Sequence, residues 1–323
     1  MRMNKILVTG GAGFIGSYLI NALMHSKSYQ ITAFDNLSSG NRNNIANWVK
    51  HHNFKFIHAD VLDHLSLEKA VNTSDMVCHL AANPFVALGA TNTKIDYEQN
   101  LTATFNLLEA MRKSPSCKKI IFTSTSAIYG EADVMPTSER YSPLKPISLY
   151  GATKLACEAM ISSYCYMFDM SSIVVRLANI IGPVSTHGVI YDFITKLKAN
   201  SEYLEILGNG RQNKSYLHIK DCINGLMQLL GLLGKMKFEI FNMGSDDTIT
   251  VSEIAEIVIN ELSLNSVDRR LIDKFDGRGW NGDVREYLLD CSKLKAIGWR
   301  AELNSKDAVT RSVREYINKK INP

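Results

Sequence analysis

Hydrophobic positions in the first half of the chain fall into short apolar, often β-branched runs separated by stretches with helical spacing. Ile6-Leu-Val8, Ile31-Thr-Ala-Phe34, Phe54-Lys-Phe-Ile57, Met76-Val-Cys-His79, Lys119-Ile-Ile-Phe122 and Ser172-Ile-Val-Val-Arg-Leu177 predict six strands. Leu19, Ile20, Leu23 and Met24 predict the first helix, Leu62 to Val71 another, and Leu101, Phe105, Leu108 and Met111 a third within 94–111. A fourth carries Tyr150 and Lys154 and runs to about Phe168. Strands alternating with helices predict an α/β fold with a Rossmann-type, doubly wound parallel sheet. Between Gly130 and Ser148, Pro136, Pro143 and Pro146 forbid a long helix and predict a loop over the site. After Asn179 the pattern is broken by Gly182-Pro183, His187-Gly188, Gly208-Asn-Gly210 and Gly244-Ser-Asp-Asp247, so the later elements are short. Thr250-x-x-Glu253 marks one helix start as a capping box. The chain therefore divides into a dinucleotide-binding domain, 1–178, and a smaller substrate-binding portion, 179–323. The second is interleaved with the first and able to lend a strand to its sheet.

Candidate chemistry gathers at the carboxyl ends of the predicted strands. Gly10, Gly13 and Gly16 have G-x-x-G-x-x-G spacing between a strand and a helix. Glycine permits the tight turn and close backbone approach to a pyrophosphate, and the helix N-terminus offers free N–H groups and partial positive charge. Asp35 ends the second strand, where a carboxylate accepts both hydroxyls of an adenosine ribose and repels a 2′-phosphate, favouring NAD. Arg42 nearby leaves NADP open. Asp60 and Val61 fall where an adenine ring rests, and Leu80, Ala81 and Ala82 form a small-residue turn suited to a cofactor's approach. Thr123-Ser-Thr-Ser126 ends the fifth strand on the same edge. Tyr150 and Lys154 stand one helical turn apart. A positive charge about 5 Å from a phenol at an effective dielectric of ~20 favours the phenolate by roughly 3 kcal/mol, about two pKa units. Such a tyrosine can take a proton from an alcohol.

Composition narrows the class further. Hydrophobic content of 46% with 21% charged residues is that of a soluble globular protein, and a net charge of +4 without Lys/Arg blocks predicts no nucleic-acid partner. The six cysteines show no C-x-x-C pair or metal-ligand spacing, so no metal is expected and a reducing cytoplasm is. The most apolar late run, Cys222 to Gly234, is too short to span a bilayer, and no export or membrane segment is expected. His187 reads as a loop or substrate-lining histidine, and Trp280 and Trp299 as packing residues.

The ordered series of motifs resembles the extended short-chain dehydrogenase/reductases, the NAD-dependent epimerase/dehydratase family, and within it the UDP-glucose 4-epimerase group. It comprises the TGGAGFIG turn, Asp35-Asn36, Asp60-Val61, His79 to Ala82, Asn100, Ser124 to Gly130, Tyr150 to Lys154, Arg176 to Asn179, Ser215 to Asp221 and Gly282-Asp283. The resemblance spans essentially the whole chain. It implies NAD held by Gly10, Gly13, Phe14, Ile15, Gly16, Asp35, Asn36, Ser39, Gly40, Asp60, Val61, Leu80, Ala81, Ala82, Asn100, Thr123, Tyr150 and Lys154. It implies Tyr150 as acid/base, Lys154 as the group that holds the nicotinamide ribose and lowers the tyrosine pKa, and Thr125 as the hydroxyl that bridges to the sugar 4-hydroxyl. The nicotinamide charge adds to the pull of Lys154. Substrate contacts implied are Thr125, Asn179, Lys214 in place of the family arginine, Tyr216, Asp283 and Tyr287, whose bulk disfavours N-acetylated sugars. Arg278 is the candidate for the other pyrophosphate clamp.

The implied reaction converts UDP-glucose and UDP-galactose through a 4-keto sugar with NAD recycled, in a homodimer formed through the helices near 94–111 and after Tyr150. Family dehydratases carry Asp-Glu after the threonine and decarboxylases keep that glutamate; this chain has Ser126-Ala127, which ranks an epimerase above a 4,6-dehydratase, decarboxylase or 4-reductase. A non-catalytic dinucleotide sensor is the reading from another class.

Overall fold

The computed structural model describes residues 3–318. The first half is a βα series: β1 (Asn4–Thr9), α1 (Phe14–His25), β2 (Tyr29–Asp35), β3 (Phe54–His58), α2 (His64–Asn72) and β4 (Met76–His79). There follow α3 (Thr93–Asp96), a π-helical turn (Tyr97–Thr102), α4 (Ala103–Lys113), β5 (Lys119–Thr125), α5 (Leu149–Met167) and β6 (Ser171–Leu177). The second half contributes β7 (Asn179–Ile181), α6 (Val189–Ala199), β8 (Tyr203–Leu207), β9 (Asn213–Lys214), β10 (Tyr216–His218), α7 (Ile219–Leu230) and β11 (Phe238–Met243). It ends with β12 (Ile249–Thr250), α8 (Val251–Glu261), β13 (Asp268–Ile272), β14 (Glu286–Tyr287), α9 (Ser292–Ala296) and α10 (Ser305–Asn318).

The main sheet is parallel throughout, with strand order β11-β6-β5-β4-β1-β2-β3. Six of its members are the six strands read from the sequence; the seventh, β11, comes from the later portion and pairs with β6 from Phe238 opposite Ser172 to Met243 opposite Leu177. A cut at residue 178 therefore separates no finished domain. Side-chain alternation sorts the core into two layers. Ile6 and Val8 enter the layer of Leu19, Ile20, Leu226 and Phe241, whereas Leu7 faces Leu67, Leu107, Phe122 and Ile161 on the other side. A third core, with Phe193, Ile206, Ile254, Val258 and Val313, holds the smaller portion together.

The strand order reverses direction between β1 and β4, which opens a crevice at their carboxyl ends. Thr250 caps α8 with the expected reciprocal bonds to Glu253. The 94–111 helix differs from its expected form. It is interrupted by the π turn, and its buried stripe is Ala103, Thr104, Leu107, Leu108 and Met111, which leaves Phe105 on the outer surface, 45% exposed. Among the described residues, no helix is long and apolar enough to cross a membrane.

Candidate active site

Glycine chemistry builds the floor of the crevice. Gly10 has φ +68°, and a Cβ there would stand 2.8 Å from the Ala81 nitrogen, so only glycine lets the first turn lie against Leu80-Ala81. A Cβ on Gly16 would overlap the Gly10 carbonyl, so α1 can pack on the turn only with glycine at that position. Gly13 caps α1 without a side-chain acceptor, leaving first-turn N–H groups to point into the crevice. The wall beside it is pinned by His79. Its ring nitrogens lie 2.7 Å from the Thr9 hydroxyl and 3.1 Å from that of Thr104, and burial lowers its pKa to about 3, so it is a neutral bridge.

Asp35 is buried at the end of β2. One carboxylate oxygen accepts from Ala12 N at 2.9 Å and the other from Leu37 N at 2.8 Å, which fixes its plane and leaves further lone pairs for ribose hydroxyls. Asn36 donates to Asp60 at 2.7 Å, joining two positions predicted for the adenosine end, and Gly40 packs closely on Asp35 and Ala12. Val61 is buried behind Asp60. The donor set fits a dinucleotide: free helix N–H groups and a Cβ-free cradle for phosphate, with an oriented carboxylate one strand away.

On the opposite side of the crevice, Ser148 caps α5 by accepting from Gly151 N at 3.1 Å, which sets the phase of Tyr150 and Lys154. Lys154 is buried; its Nζ donates to the Thr123 carbonyl at 2.9 Å and stands 5.9 Å from the Tyr150 ring centroid. Thr125 caps the short turn after β5, its hydroxyl accepting from Ala127 N at 3.1 Å. The electrostatic balance of the chain by itself differs from the one expected with the nicotinamide in place. Burial pushes the Tyr150 phenol above its ordinary value, with Asp96 and Cys157 adding to the rise, and burial lowers Lys154 to about 8. Within the chain alone, desolvation is the largest influence on both groups.

The predicted substrate residues meet through strand register. Tyr216 on β10 pairs with Asn179 on β7, and Tyr287 on β14 with Lys214 on β9. Lys214 Nζ lies 2.6 Å from Asp283 Oδ1, an ion pair in which both side chains are largely covered. Tyr287 is buried beside Ser126, its hydroxyl without a hydrogen-bond partner among the described residues. Arg278, the candidate clamp, pairs with Glu131: both terminal nitrogens donate to it, at 2.5 and 3.0 Å, and Arg285 shares that carboxylate. His187 sits edge-on to Phe85 with centroids 5.8 Å apart. Trp299 is buried and donates to the Asp221 carbonyl, whereas Trp280 keeps part of its surface open.

The family model described as GDP-mannose 4,6 dehydratase matches residues 7–312. The chain is an extended short-chain dehydrogenase/reductase of the NAD-dependent epimerase/dehydratase family. This short-chain dehydrogenase/reductase shares 37% identity with a chain solved as UDP-galactose 4-epimerase, over 98% of its own length and 100% of the other, with a TM-score of 0.87. A UDP-glucuronic acid 4-epimerase from Bacillus cereus, solved with UDP-glucuronic acid and NAD, shares 27% identity over 98% and 99% of the two chains, TM-score 0.87. UDP-glucuronic acid decarboxylase 6 of Arabidopsis thaliana is 29% identical over 94% of this chain and 86% of its own.

Two groups at this dehydrogenase/reductase site escaped sequence reasoning. Asp96 lies buried in the π turn's hydrogen-bond network, one helical turn before Asn100, and that i, i+4 spacing was its only signal. Glu158 is paired with Arg176 at 2.7 Å, both side chains nearly inaccessible, and it accepts from Ser124 next to Thr125. Nothing local in the sequence marks a glutamate on a mid-helix face as buried.

Proposed function

We propose that this protein is an NAD-dependent nucleotide-sugar 4-epimerase, an isomerase that interconverts UDP-glucose and UDP-galactose through a 4-keto sugar. One observation carries the reading. Lys154 and Tyr150 occupy the same end of α5, with Lys154 bonded to Thr123 and Thr125 two residues further along that strand end, while Ser126-Ala127 supply no second acid/base pair for removing water or carbon dioxide. The 37% identity with a UDP-galactose 4-epimerase over nearly all of both chains supports it.

NAD, when bound, supplies the reversible hydride acceptor at the sugar C4. Gly10, Gly13, Phe14, Ile15 and Gly16 would hold its pyrophosphate; Asp35, with Asn36, Ser39 and Gly40 around it, the adenosine ribose; and Asp60 and Val61 the adenine. Leu80, Ala81, Ala82, Asn100 and Thr123 would line the remaining wall. Tyr150 takes the proton of the 4-hydroxyl and later returns it. Lys154, a buried cation, opposes the rise in the phenol's pKa and offers donors to ribose hydroxyls. Thr125 holds the 4-oxygen by hydrogen bonding. Asp283 accepts the substrate ribose hydroxyls, Lys214 then turning to the phosphates. Asn179 and Tyr216 flank the nucleotide sugar, and Tyr287 limits space at C2. Arg278 contributes to phosphate binding only by releasing Glu131.

The protein is further proposed to act in the cytoplasm as a homodimer, through the outer faces of the π turn, α4 and α5, where Tyr97, Phe105, Tyr166 and Met167 are exposed. Incubation of purified protein with UDP-galactose and no added reductant tests the reaction. UDP-glucose should form without accumulating NADH, and Tyr150→Phe should abolish turnover while keeping NAD. Loss of water would indicate a dehydratase, and no change across sugars a sensor. Full activity in Tyr150→Phe would refute the mechanism. A monomer in sedimentation would remove the homodimer.

A further inference from the structure

Beside the proposed catalytic pair lies a charge with no part in the scheme above. Asp96 ends α3 at the entrance to the π turn and is fully buried. Its Oδ1 accepts from Asn83 Nδ2 at 2.9 Å and from Asn100 Nδ2 at 3.2 Å. Its Oδ2 has no hydrogen-bond partner among the described residues. That oxygen faces Gly89, where any Cβ would overlap it, close to Leu149 at the start of α5. A half-satisfied carboxylate in the interior is costly, and burial pushes its pKa up. Retaining it calls for a compensating use.

Two side-chain links join Asp96 to the turn that carries Tyr150. Asn100 reaches Thr153 Oγ1 at 3.1 Å, and that hydroxyl lies 2.9 Å from the Leu149 carbonyl and 3.1 Å from that of Tyr150. The charge inventory around Lys154 is short. Glu158 on α5 is neutralised by Arg176 on β6; burial keeps His79 on β4 neutral; burial likewise raises the Cys157 thiol, leaving it uncharged near pH 7. Cys157 and Glu158 act on Lys154 ahead of Asp96, but the thiol is uncharged near pH 7 and Glu158 is tied to Arg176. Among the described residues, Asp96 is therefore the carboxylate near Lys154 without a cation of its own, and each acts on the other.

We propose that Asp96 is a positioning residue for the 4-epimerase reaction, locking the π turn against the Tyr150 turn and serving as the counter-ion that keeps Lys154 positively charged in the interior. The inference rests on the reading of Tyr150 and Lys154 given above. The same negative charge opposes ionisation of Tyr150. Removing it makes both groups lose their protons at lower pH, so the two limbs of the kcat/KM profile move together. A merely structural residue changes the height of that profile and leaves its limbs in place.

Asp96→Asn keeps the shape and the Oδ1 acceptor while deleting the charge. The pH profile of UDP-galactose conversion and the unfolding temperature are measured on the full chain. Both limbs are expected to shift to lower pH by about one unit, and the unfolding temperature to fall, since a buried cation is left without its counter-ion. Unmoved limbs overturn the proposal, whatever the unfolding temperature does. If the asparagine variant does not fold, Asp96→Ser removes the same charge and carries the same two readings. An inactive wild type would instead fail the 4-epimerase reading itself. Active wild type, dead Tyr150→Phe and unmoved limbs would fail this inference alone.

Discussion

Removing the charge of Glu158 should be among the most destabilising single changes this protein can suffer. Its carboxylate faces Arg176 at 2.7 Å with side-chain exposures of 4% and 3%, and Ser124 donates to it at 2.5 Å. The guanidinium also donates to the Tyr129 hydroxyl at 2.9 Å, which in turn bonds Asn242 on β11 at 2.7 Å. Glu158→Gln keeps the volume and one acceptor oxygen but strands a buried cation. Breaking such a pair costs about 3–5 kcal/mol, or roughly 150- to 5,000-fold in the unfolding equilibrium. Replacing both partners with apolar residues, Glu158→Leu with Arg176→Met, should recover most of the loss, because both desolvation costs vanish together. Urea-unfolding midpoints of the two variants measure the difference. The single variant should also lose kcat more than KM, since Ser124 precedes Thr125 on β5 and its release from Glu158 would shift the Thr125 hydroxyl proposed to hold the 4-oxygen. A single variant within about 1 kcal/mol of wild type, or a double variant no better than the single one, would refute this account of the pair.

Gly16→Ala should fold yet lose bound NAD, because the added Cβ collides with the Gly10 carbonyl; absorbance of nucleotide released on denaturation checks it. Activity should fall as pH rises through about 8, where Lys154 sheds its proton. Stability should move the other way over the same interval: the unfolded lysine holds its proton to higher pH, so folding gains as pH climbs from there toward the ordinary lysine range. Parallel kcat/KM and urea titrations at each pH would expose the opposite trends, and a joint decline would contradict them. Tyr287→Gly should raise turnover of UDP-N-acetylglucosamine relative to UDP-glucose by opening space beside Ser126. A wild type already faster on the acetamido sugar would end the size argument.

Much of the first half was readable because its strands are buried on both faces and so appear as continuous apolar runs bounded by turns. The glycine turn was readable for a different reason: backbone geometry at Gly10 and Gly16 excludes every other residue, so residue type and conformation coincide. β11 escaped because Phe-Glu-Ile-Phe-Asn-Met carries polar residues that are satisfied by distant partners, Asn242 by Tyr129 and the Thr137 carbonyl, Glu239 by Lys293. Phe105 fitted a helical spacing but lies off the stripe that Ala103, Thr104, Leu107, Leu108 and Met111 bury. The protonation balance of Tyr150 was also beyond reach, since spacing reveals a neighbouring lysine but not how far both groups are withdrawn from solvent. The pairing of Arg278 with Glu131 was not readable, because that partner belongs to a loop remote in sequence.

The seventh strand has a bearing on how this chain must be made. Until Phe238–Met243 has emerged from the ribosome, the edge of Ser171–Leu177 stays bare, a long apolar template with its peptide groups unsatisfied. A fragment ending before that strand would keep every dinucleotide motif and still expose this edge to any passing strand. Expression of such a fragment should yield inclusion bodies rather than a small nucleotide-binding protein, and shielding by a chaperone during synthesis would matter most over that interval.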